Sequence, residues 1–306
     1  KVGLSLNFIK CRESLKVLGP LNKILFGIIQ ELEQSAGKDN ISSETRYERL
    51  EKIENKKSLG STLKYWLIGF TEGDGSFIVD KRGYLEFKIT QSSIDVQILL
   101  DIKKELGFGS VSVQDKKNKT HHFRVRDREG IQKIIEIFNG NLYTERKRNQ
   151  FKQWLEAFNK IYKSDISLIN RENNPTIDNA WLSGFTDAEG CFTVSILKRS
   201  ETYNQVTVRY ILSQKGELEL MTKIAEKLDG KVSYLKNYNG YNMTVNLMKL
   251  EKIISYLEKY NLKTKKTIDY RNWLEIYKLV RKKEHYKEEG IEEIKKLMKK
   301  INKKLD

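Results

Sequence analysis

Residues 67–75 read LIGFTEGDG, and residues 182–190 read LSGFTDAEG. Each is a short apolar helical stretch that ends on a carboxylate, Asp74 or Glu189, followed by glycine. A helix carries partial negative charge at its C-terminus, so an acid is locally unfavourable there. A sequence that places one there twice has a use for it. Widened to residues 66–77 and 181–192, WLIGFTEGDGSF and WLSGFTDAEGCF are identical at seven of twelve positions. Asp74 then falls on Glu189, a displacement of 189 − 74 = 115.

The correspondence continues beyond the motif. SFIVDK and YLEFKIT follow the first copy, CFTVSILK and QVTVRYIL the second, each pair with the period-two character of antiparallel strands. Helical periodicity follows in SSIDVQILLDIKKELG and GELELMTKIAEKLDG, each expected to close on its glycine. Then come GSVSVQ with HHFRVR, and KVSYLKN with YNMTVNL, as further strand pairs. Each copy ends in two helices, the last carrying Trp-Leu-Glu at 154–156 and 273–275. The fold class is α+β, a tandem pseudo-symmetric αββαββα duplication with an extra helix in each copy. The expected boundaries are a helical extension over 1–60, a first repeat over 61–162, a polar linker over 163–178 and a second repeat over 179–306. In the extension, Thr45-x-x-Glu48 is a capping box. From Gly290, Ile291, Ile294, Leu297, Met298, Ile301 and Leu305 form one apolar stripe expected to pack on the core.

The chain has 306 residues, and 57 Lys and Arg against 41 Asp and Glu give a net charge of +16. That excess points to a polyanionic partner, nucleic acid first. Two cysteines and three histidines leave no zinc-ligand spacing and at most one disulfide, so a reducing compartment is expected. The apolar stretch from Leu21 to Ile29 is too short to span a bilayer, and no membrane association is expected. The first residue is Lys1 rather than Met, so a fragment or a product of processing is expected.

Gly69 and Gly73, and correspondingly Gly184 and Ala188, recur four residues apart. Small residues at that spacing let two helix backbones approach closely. If the motif helices pack together, Asp74 and Glu189 emerge side by side, next to the helix-end carbonyls of Gly73 and Ala188. Such a negative site is costly when empty and favourable around a hard divalent cation, Mg²⁺ or another such as Mn²⁺.

The paired motifs resemble those of the LAGLIDADG homing endonucleases, specifically the monomeric double-motif kind, over residues 62–306. The resemblance implies motif helices at the interface of two halves and two antiparallel sheets forming a saddle over double-stranded DNA. It implies that Asp74 and Glu189 bind the metal for a double-strand break in a long asymmetric target. The family's central basic residue falls on Lys147 in TERKRNQF and on Lys265 or Lys266 in TKKTIDY, with Lys266 carried forward. Gln91 in KITQ and Gln214 in LSQK match a polar residue that positions water, whereas Glu72 and Asp187 are expected to be structural. The family also includes intron maturases, so an RNA-binding splicing role with the chain's own intron RNA is the alternative. A repressor that uses the saddle without cutting is a third. The resemblance implies a monomer in the mitochondrial matrix.

The saddle face assigns DNA contacts to Arg82, Lys88, Gln114, Lys116, His122, Arg124 and Arg126 in the first repeat. In the second repeat it assigns them to Ser195, Arg199, Arg209, Asn242, Thr244 and Asn246. Strand alternation sends Phe123, Val125, Met243, Val245 and Leu247 inward. Arginines suit guanine and amides suit adenine, so guanine readout is expected under the first repeat and an A·T lean under the second. Asp80, Glu86 and Lys88 mimic another nuclease pattern, but Arg209-Tyr210-Ile211 breaks it in the second copy. His121 and His122 are expected to be surface strand residues rather than metal ligands.

Overall fold

The computed structural model describes residues 59–170, 174–200, 203–237 and 239–302. The Thr45-x-x-Glu48 capping box and Leu305 lie outside the described residues.

Helix α1 (Ser61–Asp74) buries seven consecutive residues, Trp66 to Glu72. Helix α5 (Trp181–Glu189) buries Trp181 to Asp187 in the same way. A helix buried all round is a central one rather than a cover. Each runs directly into a strand: α1 into β1 (Gly75–Val79), then β2 (Leu85–Ser92), and α5 into β5 (Gly190–Lys198), then β6 (Asn204–Lys215). Helices α2 (Val96–Leu106) and α6 (Leu218–Leu228) lead to β3 (Ser110–Asp115) with β4 (Thr120–Val125), and to β7 (Lys231–Leu235) with β8 (Gly240–Asn246). The two antiparallel sheets have the orders β1-β2-β4-β3 and β5-β6-β8-β7. Gly75 pairs with Ile89 and Gly190 with Leu212, so the two registers are equivalent.

Period-two patterning decides which face each strand buries. Leu85, Phe87 and Ile89 point inward from β2, and Val206, Val208, Tyr210 and Leu212 from β6. Over these faces lie α3 (Arg128–Phe138) and α4 (Glu145–Tyr162) in the first half, α7 (Glu251–Lys259) and α8 (Lys266–Arg281) in the second. Phe77 sits at 5.2–5.4 Å from Phe138, Phe151 and Trp154, and Phe192 at 5.2–5.7 Å from Tyr210, Tyr270 and Trp273. The two Trp-Leu-Glu tryptophans therefore fill the same place in each core.

Several boundaries differ from expectation. The stretch from Ser92 begins as strand and a 3₁₀ turn, Ser93–Asp95, before α2 starts. Helix α2 closes on Gly107 at φ 74°, but α6 closes on Asp229 at φ 54°, one residue before the expected Gly230. A short polar side chain tolerates that left-handed position, and Lys252 pairs with it at 2.7 Å. Leu247 opens a 3₁₀ turn and is only partly buried, unlike Met243 and Val245. Helix α9 (Glu288–Met298) starts before Gly290, where a Cβ would stand 2.0 Å from the Glu284 carbonyl. Its stripe is as expected: Ile291, Ile294 and Leu297 are buried.

The segment after α4 is pinned by two asparagines. Asn159 donates to the Ile166 carbonyl and accepts from the Ile166 N–H, and Asn139 does the same with Ser167 and Ile169. Among the described residues no helix is long and apolar enough to cross a membrane.

Candidate active site

Helices α1 and α5 meet backbone to backbone. A Cβ on Gly69 would lie 1.9 Å from the Trp181 carbonyl oxygen, and one on Gly184 would lie 1.9 Å from that of Trp66. One turn further, a Cβ on Gly73 would lie 2.4 Å from Ala188 Cβ and 3.0 Å from Glu189 Oε1. The Glu189 carboxylate thus lies over Gly73, the residue before Asp74, and only small side chains at positions 73 and 188 let both acids reach this end.

Asp74 accepts a hydrogen bond from Gln91 Nε2 at 2.6 Å. Burial pushes its carboxyl up to about 6, and the nearby Glu189 charge adds to this, against the Gln91 bond and the two lysines. Lys147, in the first turn of α4, is fully buried and donates to the Gly75 carbonyl. Burial and the neighbouring Arg146 pull its amine down to about 8, while Glu72, Asp74 and Glu189 hold it up. Lys266, at the start of α8, donates to the Thr186 and Ala188 carbonyls at 3.1 and 3.0 Å. It too is lowered by burial and held up by Asp187, Asp74 and Glu189. Of the two lysines open in the sequence, the structure brings Lys266 to the motif helix. Lys265 presents its backbone N–H to Asp95.

Glu72 and Asp187 hold the same helix starts in place. Glu72 accepts from the N–H groups of Tyr143 and Thr144 and from the Thr144 hydroxyl. Asp187 accepts from Lys263 N–H, Thr264 N–H, the Thr264 hydroxyl and Trp66 Nε1. Burial raises both carboxyls, Glu72 to about 7, against these donors.

The donor set fits a hard cation only as a pair of carboxylates with helix-end oxygens. Among the described residues no group of three His, Cys, Asp or Glu side chains could hold a metal. The half-buried, mutually repelling Asp74 and Glu189 are what a divalent ion would relieve. The carbonyl of Ala188 already accepts from Lys266, which leaves it a weaker candidate than the carboxylates. His121 meets Ser93 Oγ and His122 meets Ser112 Oγ, each at 3.0 Å.

The sequence profile described as LAGLIDADG endonuclease matches residues 67–158 and 182–277. The chain belongs to the LAGLIDADG endonuclease family. It is 53% identical over 288 residues to a Neurospora crassa protein described as "Probable intron-encoded endonuclease 4", covering 94% of this chain and 52% of that one. The chain therefore spans about half the length of that relative. It is 29% identical over 176 residues to the intron-encoded RNA maturase bI4 of Saccharomyces cerevisiae, covering 58% of this chain and 26% of the relative. The crystal structure of the LAGLIDADG meganuclease I-AabMI bound to uncleaved DNA superposes with a TM-score of 0.69 at 26% identity, covering 78% of this chain and 99% of that one.

In this LAGLIDADG chain the outer sheet faces carry the residues expected to meet DNA. Lys88 pairs in register with Arg124, and Arg209 with Asn246, on the faces opposite Phe87, Phe123, Tyr210 and Val245. The register shift in the first sheet lies between Val113 and Asp115, at Gln114, so β4 keeps its parity through Arg124. Thr90 donates to Gln114 Oε1 at 2.8 Å, and Ser213 donates to Asn242 Oδ1 at 2.6 Å. Lys116, Ser195, Asn246 and the turn residue Arg82 are exposed, and Thr244 is half-buried. Arg199 is exposed and donates to Gln205 Oε1 at 2.8 Å. Gln214 occupies the register position of Gln91 but is buried, and no bond to Glu189 corresponds to that of Gln91 with Asp74.

Three of these residues differ from a freely presented contact. His122 is only 9% exposed, because Ser112 and the neighbouring strand cover it. Arg126 lies past the end of β4 and is held by Glu86 through Nε at 2.6 Å and Nη2 at 2.5 Å. Arg209 is half-buried with its Nε unpartnered. Asp80 is spent on its own turn, accepting from the Arg82 and Tyr84 N–H groups. With Glu86 on Arg126, the Asp80, Glu86 and Lys88 decoy assembles no site.

Proposed function

We propose that the chain is a site-specific DNA endonuclease that makes a double-strand break in a long asymmetric target, with Asp74 and Glu189 as its metal-binding acids. The observation that carries this reading is that the two acids emerge together from packed helix ends, with Lys147 and Lys266 beside them. A divalent ion such as Mg²⁺ or Mn²⁺, held chiefly by the two carboxylates, would supply a Lewis acid toward a phosphodiester and acidify water. The chain's own groups do the rest. Gln91 fixes the rotamer of Asp74 through its hydrogen bond. Lys147, whose amine at about 8 stays cationic near neutral pH, and Lys266 beside the second motif helix stabilise charge that grows on phosphate oxygens. Two acids across a pseudo-dyad serve two strands.

Family membership, the +16 charge and the likeness to a DNA-bound meganuclease support DNA as the partner of a monomer. An intron-encoded origin extends from the relatives' descriptions, and the mitochondrial matrix location proposed with it rests on the family resemblance. The decisive test incubates the purified chain with the intron-less allele of its gene, in Mg²⁺ and in EDTA. Linear product only with Mg²⁺ supports the proposal, and none in either condition sinks it. The similarity to a yeast maturase favours RNA binding as a second reading, tested by splicing of the intron with and without the protein.

A further inference from the structure

Asp95 and Glu217 occupy the N-cap position of α2 and α6, and neither side chain caps its own helix. Asp95 Oδ1 instead accepts the Lys265 N–H at 2.6 Å. Glu217 Oε2 and Oε1 accept the N–H groups of Glu145 and Arg146 at 3.1 and 3.3 Å. Asp95 belongs to the first half and Lys265 to the second, while Glu217 belongs to the second and Glu145 to the first. The bonds cross the pseudo-dyad in both directions, and both acids are buried, at 9% and 7% exposure.

The helix starts they reach are those that carry Lys147 and Lys266. Unpaired N–H groups at a helix start attract carboxylates, and here two carboxylates divide them. Glu72, from the same half, takes the N–H groups of Tyr143 and Thr144, and Glu217, from the other half, takes those of Glu145 and Arg146. Asp187 takes those of Lys263 and Thr264, and Asp95 takes that of Lys265.

We propose that Asp95 and Glu217 are positioning residues acting across the pseudo-dyad: Glu217 fixes Lys147, and Asp95 fixes Lys266. Each lysine is then set by both halves, and neither half can shift without displacing the lysine of the other. The catalytic meaning of this rests on the nuclease reading above. The linkage itself does not, so it is tested without turnover.

The test labels the full chain with an amine-acylating reagent and follows Lys147 and Lys266 separately by mass spectrometry. Glu217→Gln is expected to speed labelling of Lys147 about fivefold, the effect of one lost helix cap, and to leave Lys266 unchanged. Asp95→Asn is expected to do the reverse. Glu217→Ala and Asp95→Ala should give the same crossed pattern more strongly, which covers a glutamine or asparagine that still accepts a bond. Equal change at both lysines, or none in any variant, overturns the proposal, because general loosening of the interface would not distinguish them. On a supercoiled plasmid carrying the target, Glu217→Gln should accumulate circles nicked in one strand and Asp95→Asn circles nicked in the other, with DNA affinity unchanged. Crossed labelling in a chain that never cuts supports the linkage and refutes only the nuclease reading.

Discussion

Gly69 and Gly184 each face the other's helix with no room for a methyl group, 1.9 Å separating a built Cβ from the opposing tryptophan carbonyl. Every feature of the site depends on that approach. It sets the distance between Asp74 and Glu189, and it lets Trp66 Nε1 reach Asp187 across the interface at 2.8 Å. A side chain at either glycine must push two backbones apart. Gly69→Ala and Gly184→Ala are each expected to lower stability by about 1–3 kcal/mol, the cost of overpacking a closed interface. Denaturant unfolding measures this. A midpoint equal to wild type in both variants would show that the helices do not meet as described.

Asp74→Asn and Glu189→Gln should each abolish double-strand cleavage and leave DNA binding intact. Removing a carboxylate from a helix C-terminus should also stabilise the metal-free protein by about 0.3–1 kcal/mol. Plasmid cleavage and thermal melting test the two halves of this statement. Near wild-type cutting in both single variants is the outcome that removes the acids from the mechanism.

The folded state holds Asp74 near 6 against an ordinary 3.8, and Lys147 near 8 against an ordinary 10.5. For a raised carboxyl, the linked stability is present below the ordinary value and is lost as pH rises through about 6. For a lowered amine, it is present above the ordinary value and is lost as pH falls through about 8. Both groups are therefore least favourable at neutral pH, where both are charged, Lys147 buried and Asp74 half-buried. The difference in unfolding free energy between Asp74→Asn and wild type should grow as pH rises from about 4 to 7. Taking that difference separates Asp74 from Glu72, which burial holds near 7. Added Mg²⁺ should shrink the difference at neutral pH. A difference that stays flat across this range would contradict the burial of Asp74.

Much of this was legible in the sequence because duplication supplies its own control. The period-two runs after each motif, compared copy against copy, gave strands whose inward faces hold Phe87 and Phe123 in one half, Tyr210 and Val245 in the other. The small-residue spacing gave the helix contact. Asp229 was not legible as a helix stop, since glycine follows it and carries the usual signal. Asp95 and Glu217 were not legible either. An acid before a helix reads as that helix's own cap, and only the folded chain shows it turned to another. Lys265 and Lys266 could not be separated by composition, because helix phase alone decides which of two adjacent lysines points inward.

Binding to DNA should weaken steeply with salt, since each phosphate neutralised by Lys or Arg contributes about −0.9 to the slope of log K against log salt. Titrations between low and physiological salt measure the slope. A flat line would exclude the sheet faces as a nucleic-acid surface.

The last prediction concerns how the two halves divide recognition. Arg124 lies on the outer face of β4, and its Nη1 is 4.0 Å from Glu86, whereas Arg126 is bound to that acid at 2.5 Å. Glu86 therefore engages Arg126 and leaves Arg124 as the arginine able to turn toward a base. An arginine fork matches guanine O6 and N7, while the outward Asn242, Thr244 and Asn246 offer groups suited to an A·T-rich half-site. Arg124→Ala should cost about 1–3 kcal/mol on the preferred target and flatten selection at one or two adjacent positions. Arg126→Ala should leave the profile nearly unchanged. Glu86→Gln should release Arg126 and broaden specificity while raising affinity for unrelated DNA. Cleavage of a randomised target library, sequenced for each variant, reads all three. Equal base preferences in both half-sites, or a profile changed by Arg126→Ala but not by Arg124→Ala, would reverse the assignment of the two arginines.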